Sequence, residues 1–247
     1  MSTNAARLSG LASLLGEHRS FARVPLGHAQ ADRTLTGGLM RGTLHEVFAG
    51  DASAFGFAAA LARCVAGAKR VLWVVQDFSA IEHGAVSPTG LAEFGLDPSR
   101  LLLLRAANAE DALRAGADAL TCAALGAVIV EIPGHPKVLD LVASRRLVLG
   151  AQQKHVTAFL LRPGAQAEPS AAETRWLIKA APSADKDDWG MPRFDAALTR
   201  NRHGETGRWV MEWCCDDGAF RASAAAHSGA VVAAFADRPA APARRAG

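Results

Sequence analysis

Residues 36–57 run from a glycine-rich turn through an amphiphilic strand at 43–48 to Gly50 and into an Ala-rich helical stretch from Phe55 to Cys64. A strand, a glycine and a helix in that order aim backbone N–H groups and a helix N-terminus at one point, the geometry that cradles a nucleotide phosphate. The side chains for that task are missing. A working loop places a lysine against the β and γ phosphates and a Ser or Thr hydroxyl on Mg²⁺. Here the segment is Gly50, Asp51, Ala52, Ser53, Ala54, Phe55, Gly56, so Phe55 and Gly56 stand in those two slots. Ser53 comes too early and Asp51 has the wrong charge. The preferred reading is a strand-to-helix turn packed by Phe55 and Phe57, and the alternative is a mononucleotide held weakly by backbone N–H groups.

Downstream, apolar strands and helical stretches alternate. Strands are expected at 71–75, 101–104, 128–130 and 156–161, and helices at 91–94, 110–120 and 137–154. Strands separated by helices predict an α/β fold with a mainly parallel sheet flanked by helices. Asn108 is placed as an N-cap, with Asp111 in the first turn of its helix. Three further strands, at 174–180, 194–199 and 209–213, predict a C-terminal antiparallel extension. Trp209, Met211 and Trp213 alternate onto one face of the last. Trp73, Trp176 and Trp209 read as core, and Trp189 as exposed. At the start, Leu8, Leu11, Leu14 and Leu15 recur at helical spacing and predict an amphipathic helix that docks on a partner surface. Residues 17–36 read as a linker, and the Ala, Pro and Arg run from Ala222 onward as a disordered tail. The expected organisation is therefore 1–34 helix and linker, 35–221 core domain, and 222–247 tail.

Composition narrows the function. Half of the 247 residues are hydrophobic, enough for one substantial core, and a net charge of +3 gives no strong electrostatic argument for nucleic acid. Cys64, Cys122, Cys214 and Cys215 form no Cys-x-x-Cys pair, which fits a reducing cytosol, and no apolar run or leader pattern suggests a membrane. The eight histidines are isolated, none at metal-ligand spacing from a cysteine, and no Gly-x-Ser-x-Gly turn occurs. No metal and no cofactor are expected.

The segment from Gly38 to Phe48, the run from Phe94 to Leu104, the helix at 110–120, the strand ending Val130-Glu131 and the triplet Arg200-Asn201-Arg202 resemble, in order and spacing, the core of the RecA superfamily. The resemblance covers roughly residues 35 to 221. Narrower stretches, among them residues 143–147, 160–165 and 208–213, are similar to the ImuA family of RecA-like accessory proteins. That family is encoded with ImuB, an inactive Y-family polymerase relative, and an error-prone DnaE-type polymerase.

What the resemblance implies is a RecA-like core serving damage-induced mutagenesis by translesion synthesis, with ImuB, the DnaE-type polymerase and RecA as partners and single-stranded DNA as a further contact. Asp77 matches the carboxylate that orients the attacking water in RecA, and Glu131 the place of a magnesium-assisting acid. Read as residues alone, each is an acid at the carboxyl end of a strand, and both are favoured as relics. Arg200 and Arg202 match basic residues that reach the next subunit's nucleotide, so contact with a subunit or with DNA phosphate competes with a solvated strand edge. Leu8, Leu11 and Leu15 are the candidate partner helix. Three functions follow: a non-catalytic adaptor, an ATP- or DNA-binding regulator of RecA filaments, and a damage-induced inhibitor of cell division. The missing Lys and Ser/Thr argue for the first.

Overall fold

The computed structural model describes residues 22–78, 81, 84, 86–182 and 190–223. The expected N-terminal helix with Leu8, Leu11 and Leu15, the expected tail beyond 223, and Trp189 lie outside the described residues.

A nine-stranded sheet organises the chain. Its parallel part comprises β3 (Leu44–Ala49), β4 (Arg70–Gln76), β5 (Leu101–Ala106), β6 (Leu125–Glu131), β7 (Thr157–Pro163) and β8 (Thr174–Ala180). They lie side by side in the order β8-β3-β7-β6-β4-β5. All residues of β3, β6 and β7 are buried, as expected of strands covered on both faces.

One face is covered by α2 (Ser53–Ala66), whose Phe57, Leu61 and Val65 share a core with Trp73, Ile129, Phe159 and Trp176. Alanine dominates this helix because it lies close to the sheet: a Cβ on Gly126 of β6 would come 2.6 Å from the Ala66 Cα. The other face is covered by α4 (Ala109–Ala119) and α5 (Leu141–Lys154), with Leu113 and Leu147 packed over Val74, Val128, Val130 and Leu160. Asn108 caps α4 as expected, its Oδ1 accepting the Asp111 amide at 2.9 Å. The expected basic helix from Lys137 starts later, at Leu141, because Asp140 is its N-cap and accepts the Ala143 amide at 2.7 Å. A short α3 (Pro88–Glu93), capped by Ser87, precedes β5.

The C-terminal extension is antiparallel, with one strand more than expected. β8 pairs in parallel with β3 and antiparallel with β9 (Arg193–Asn201), and β10 (Gly207–Cys214) and β11 (Ala219–Ala222) continue outward. Met211 and Trp213 are buried on one face as the alternation predicts. β11 is too short to announce itself in sequence, yet its Phe220 is fully buried, 4.9 Å from the Trp213 ring and 5.3 Å from Phe57. Ala222 pairs with Met211, so the core runs past the expected boundary at 221.

Residues 22–36 are not a linker. β1 (Arg23–Val24) pairs with β2 (Leu39–Met40), α1 (Ala29–Thr34) lies between them, and Leu26, Ala31, Leu35 and Leu39 are in the core. Asp32 holds this cap by accepting the Leu26 and Gly27 amides at 2.7 and 3.0 Å. Gly38, at φ 117°, is required where the two strands meet: a Cβ there would sit 2.1 Å from the Val24 oxygen. Among the described residues no helix is long and apolar enough to cross a membrane.

Candidate functional site

β3 ends at Ala49, and Gly50, Asp51 and Ala52 carry the chain into α2 at Ser53. The four amides of a helix's first turn lack intrahelical partners, which is what makes this position attractive to an anion. Here the chain supplies its own. Asp51 Oδ1 accepts the Ser53 amide at 2.9 Å and the Ser53 hydroxyl, while Oδ2 accepts the Ala180 amide at 3.3 Å. Partial burial alone would raise the Asp51 pKa, but the bonds from Ser53 and Ala180, with Lys179 nearby, outweigh it and hold the carboxyl below its ordinary value. Asp51 is thus ionised at neutral pH beside the amides a phosphate would use.

The two slots after it are committed to packing. Phe55 leans on the α2 core, and a Cβ at Gly56 would sit 2.7 Å from the Phe94 Cζ. Phe55 separates two clefts. One, of about 210 Å³, is lined by Gly50, Asp51, Ala52, Pro163 and Gly164 and contains no basic side chain. The other, of about 270 Å³, is apolar and lined by Trp73, Leu91 and Phe94.

Asp77 and Glu131 come to the carboxyl ends of the adjacent strands β4 and β6. Asp77 is half exposed and pairs with Arg105 at 2.8 Å, a surface ion pair that bridges β4 and β5. Glu131 is buried, and its carbonyl accepts from the Gln76 side chain at 3.1 Å. Among the described residues no group of three or more His, Cys, Asp or Glu is arranged to hold a metal ion.

Arg200 and Arg202 are brought together, but as clamps on one loop. Arg200 faces Arg175 across a bulge in the β8–β9 register and donates to the Ser170 carbonyl at 3.0 Å. Arg202, just past β9, donates to the Ala172 carbonyl at 3.1 Å. Burial lowers the Arg200 pKa, and the charges of Arg202 and Arg175 lower it further against the pull of Glu46 and Glu173.

The arginines belong to a buried network that sequence reasoning missed. Glu46, in the central strand and 1% exposed, accepts from Arg175 Nε at 2.7 Å. Two guanidinium groups lie over the Phe48 ring, Arg162 at 5.6 Å and Arg175 at 5.4 Å from its centroid, both within cation–π range. The strand expected at 156–161 runs on through Arg162 to Pro163 as β7. Burial lowers the Arg162 pKa, and Glu168 at 3.2 Å is the main opposing influence. The available signal was a charge inside an apolar strand, because such residues are rarely buried unless paired.

No family model matches the chain. The chain is 32% identical over 136 residues to the protein ImuA of Caulobacter vibrioides (strain NA1000 / CB15N), a match covering 50% of this chain and 54% of that relative. The same figures hold for ImuA of Caulobacter vibrioides (strain ATCC 19089 / CIP 103742 / CB 15). The chain thus spans about half the length of the curated relatives it matches. Over that shared half it is ImuA-like.

Proposed function

We propose that this chain is a non-catalytic accessory protein of damage-induced mutagenesis, acting as an adaptor for an ImuB-type polymerase relative, a DnaE-type polymerase and RecA. The observation that carries the non-catalytic reading is Asp51 seated at the N-terminus of α2, with Phe55 and Gly56 packed where a lysine and a hydroxyl would be needed. A carboxylate repels the phosphates of ATP, and no basic side chain lines the cleft beside it. The accessory role in mutagenesis is supported by the similarity to ImuA. What the fold retains is a large rigid sheet, a scaffold suited to presenting binding surfaces.

Co-purification of the full chain with each of the three candidate partners, one at a time, tests the adaptor role. Retention of the ImuB-type protein at stoichiometric level is the expected result. Failure to retain any of the three, with the chain folded, contradicts it.

A further inference from the structure

The end of the sheet opposite the degenerate loop carries a second feature. A cleft of about 230 Å³ opens where α2 ends and β4 and β5 begin, and its lining includes Arg63, Lys69 and Arg100 against a single acid, Asp97. Asp97 is already engaged: it accepts the Ser99 amide at 2.9 Å and hydroxyl at 2.7 Å, and pairs with Arg100 at 3.3 Å.

Cations near a helix C-terminus have an ordinary explanation, since they satisfy its last carbonyls and its dipole. Backbone carbonyls already engage three of the cations here. Arg41 donates to the Val65 carbonyl at 2.6 Å and Arg100 to Ala68 at 3.2 Å, while the Lys69 ammonium donates to the Ala123 carbonyl at 2.9 Å. Arg63, in the last turn of α2, is favoured by the dipole but donates to none of these carbonyls. This half-buried guanidinium is laid against two glycine turns: a Cβ on Gly95 would be 3.5 Å from its Nε and one on Gly218 3.2 Å from its Nη2. Among the described residues it has no hydrogen-bond or ion-pair partner. A planar, permanently charged fork fixed in a cleft with two further cations matches a tetrahedral oxyanion.

We propose that this cleft binds a phosphate group, with Arg63 as its central contact and Lys69 and Arg100 at its rim. The phosphate belongs to a nucleic-acid backbone or to a small phosphate ester. Both present the same oxygens, and the exposed rim leaves room for a chain to pass. The site is independent of the accessory role proposed above.

The test uses the full chain, with binding of a fluorescent single-stranded oligonucleotide read by anisotropy and binding of pyrophosphate by calorimetry. Arg63→Gln should weaken whichever ligand binds by roughly ten-fold or more, the loss of a charge-assisted contact. Lys69→Gln combined with Arg100→Gln should weaken it less and flatten its salt dependence. Arg63 dependence with the oligonucleotide alone assigns a nucleic-acid backbone, and dependence with pyrophosphate assigns a phosphate ester. If neither ligand binds, or if Arg63→Gln binds as the parent does, the proposal is overturned. Should Arg63→Gln fail to fold, the double variant at exposed positions decides: unchanged binding and an unchanged salt slope contradict the site.

Discussion

Asp51 accepts the Ser53 backbone amide at 2.9 Å, so the first turn of α2 carries an internal carboxylate where a nucleotide phosphate would rest. This contact both stabilises the helix and opposes anion binding. Asp51→Ala should cost about 1 kcal/mol of stability, the usual net effect of losing a hydrogen bond of this kind, measured by urea unfolding. Adding Phe55→Lys to it should still give no ATP turnover, because the hydroxyl that holds Mg²⁺ remains absent.

Gly56 and Phe94 form a second constraint on the same turn. Restoring a hydroxyl by Gly56→Thr drives a Cβ to within 2.7 Å of the Phe94 ring and should destabilise the fold by about 1–3 kcal/mol, the range for overpacking. The same substitution in a Phe94→Ala background should cost less than the two single losses added together, read from a double-mutant cycle.

The buried pair of Glu46 and Arg175 should respond asymmetrically. Arg175→Met leaves Glu46 buried without its cation and should cost about 3–5 kcal/mol, whereas Glu46→Gln with Arg175→Met should recover much of that loss. Denaturant unfolding of the parent and the two variants measures it. Equal stability of the single and double variants would contradict the network.

His45 gives the fold a pH dependence. Burial lowers its pKa from 6.5 to about 4, while the bond to the Met40 carbonyl opposes the shift. The unfolded chain therefore takes up a proton below pH 6.5 that the folded chain refuses until about pH 4. Stability from this group is complete above the upper value and falls toward the lower one, by at most about 1.4 kcal/mol per pH unit. His45→Gln should flatten unfolding free energy over that window.

β11 is the last strand among the described residues. Truncation after Ser223 should change stability by no more than about 0.5 kcal/mol, as surface changes do. Phe220→Ala should cost about 3–5 kcal/mol, because the side chain is fully buried between Trp213 and Phe57.

The parallel half of this fold was legible because its signals are local. Val71 to Val75 and Val128 to Val130 are continuous apolar runs, and Asn108 announces a helix start. What escaped depends on partners distant in sequence. Glu46 and Arg175 are 129 residues apart, so neither predicts the other. The loop 170–172 that occupies Arg200 and Arg202 lies 30 residues before each contact. Residues 22–36 look like a linker because Pro25 and Gly27 break any periodicity, and only Asp32 and the β1–β2 pairing reveal their place. At the site, Phe55 and Gly56 disclosed the missing phosphate chemistry, but the role of Asp51 required knowing that Ala180 stands opposite it.

Steady-state ATP hydrolysis by the full chain, with single-stranded DNA and the ImuB-type protein present, is the most direct test of the central claim that this protein works by binding. The account predicts a rate equal to buffer, identical in the Asp77→Ala/Glu131→Ala double variant. Turnover above buffer that the double variant abolishes would contradict it.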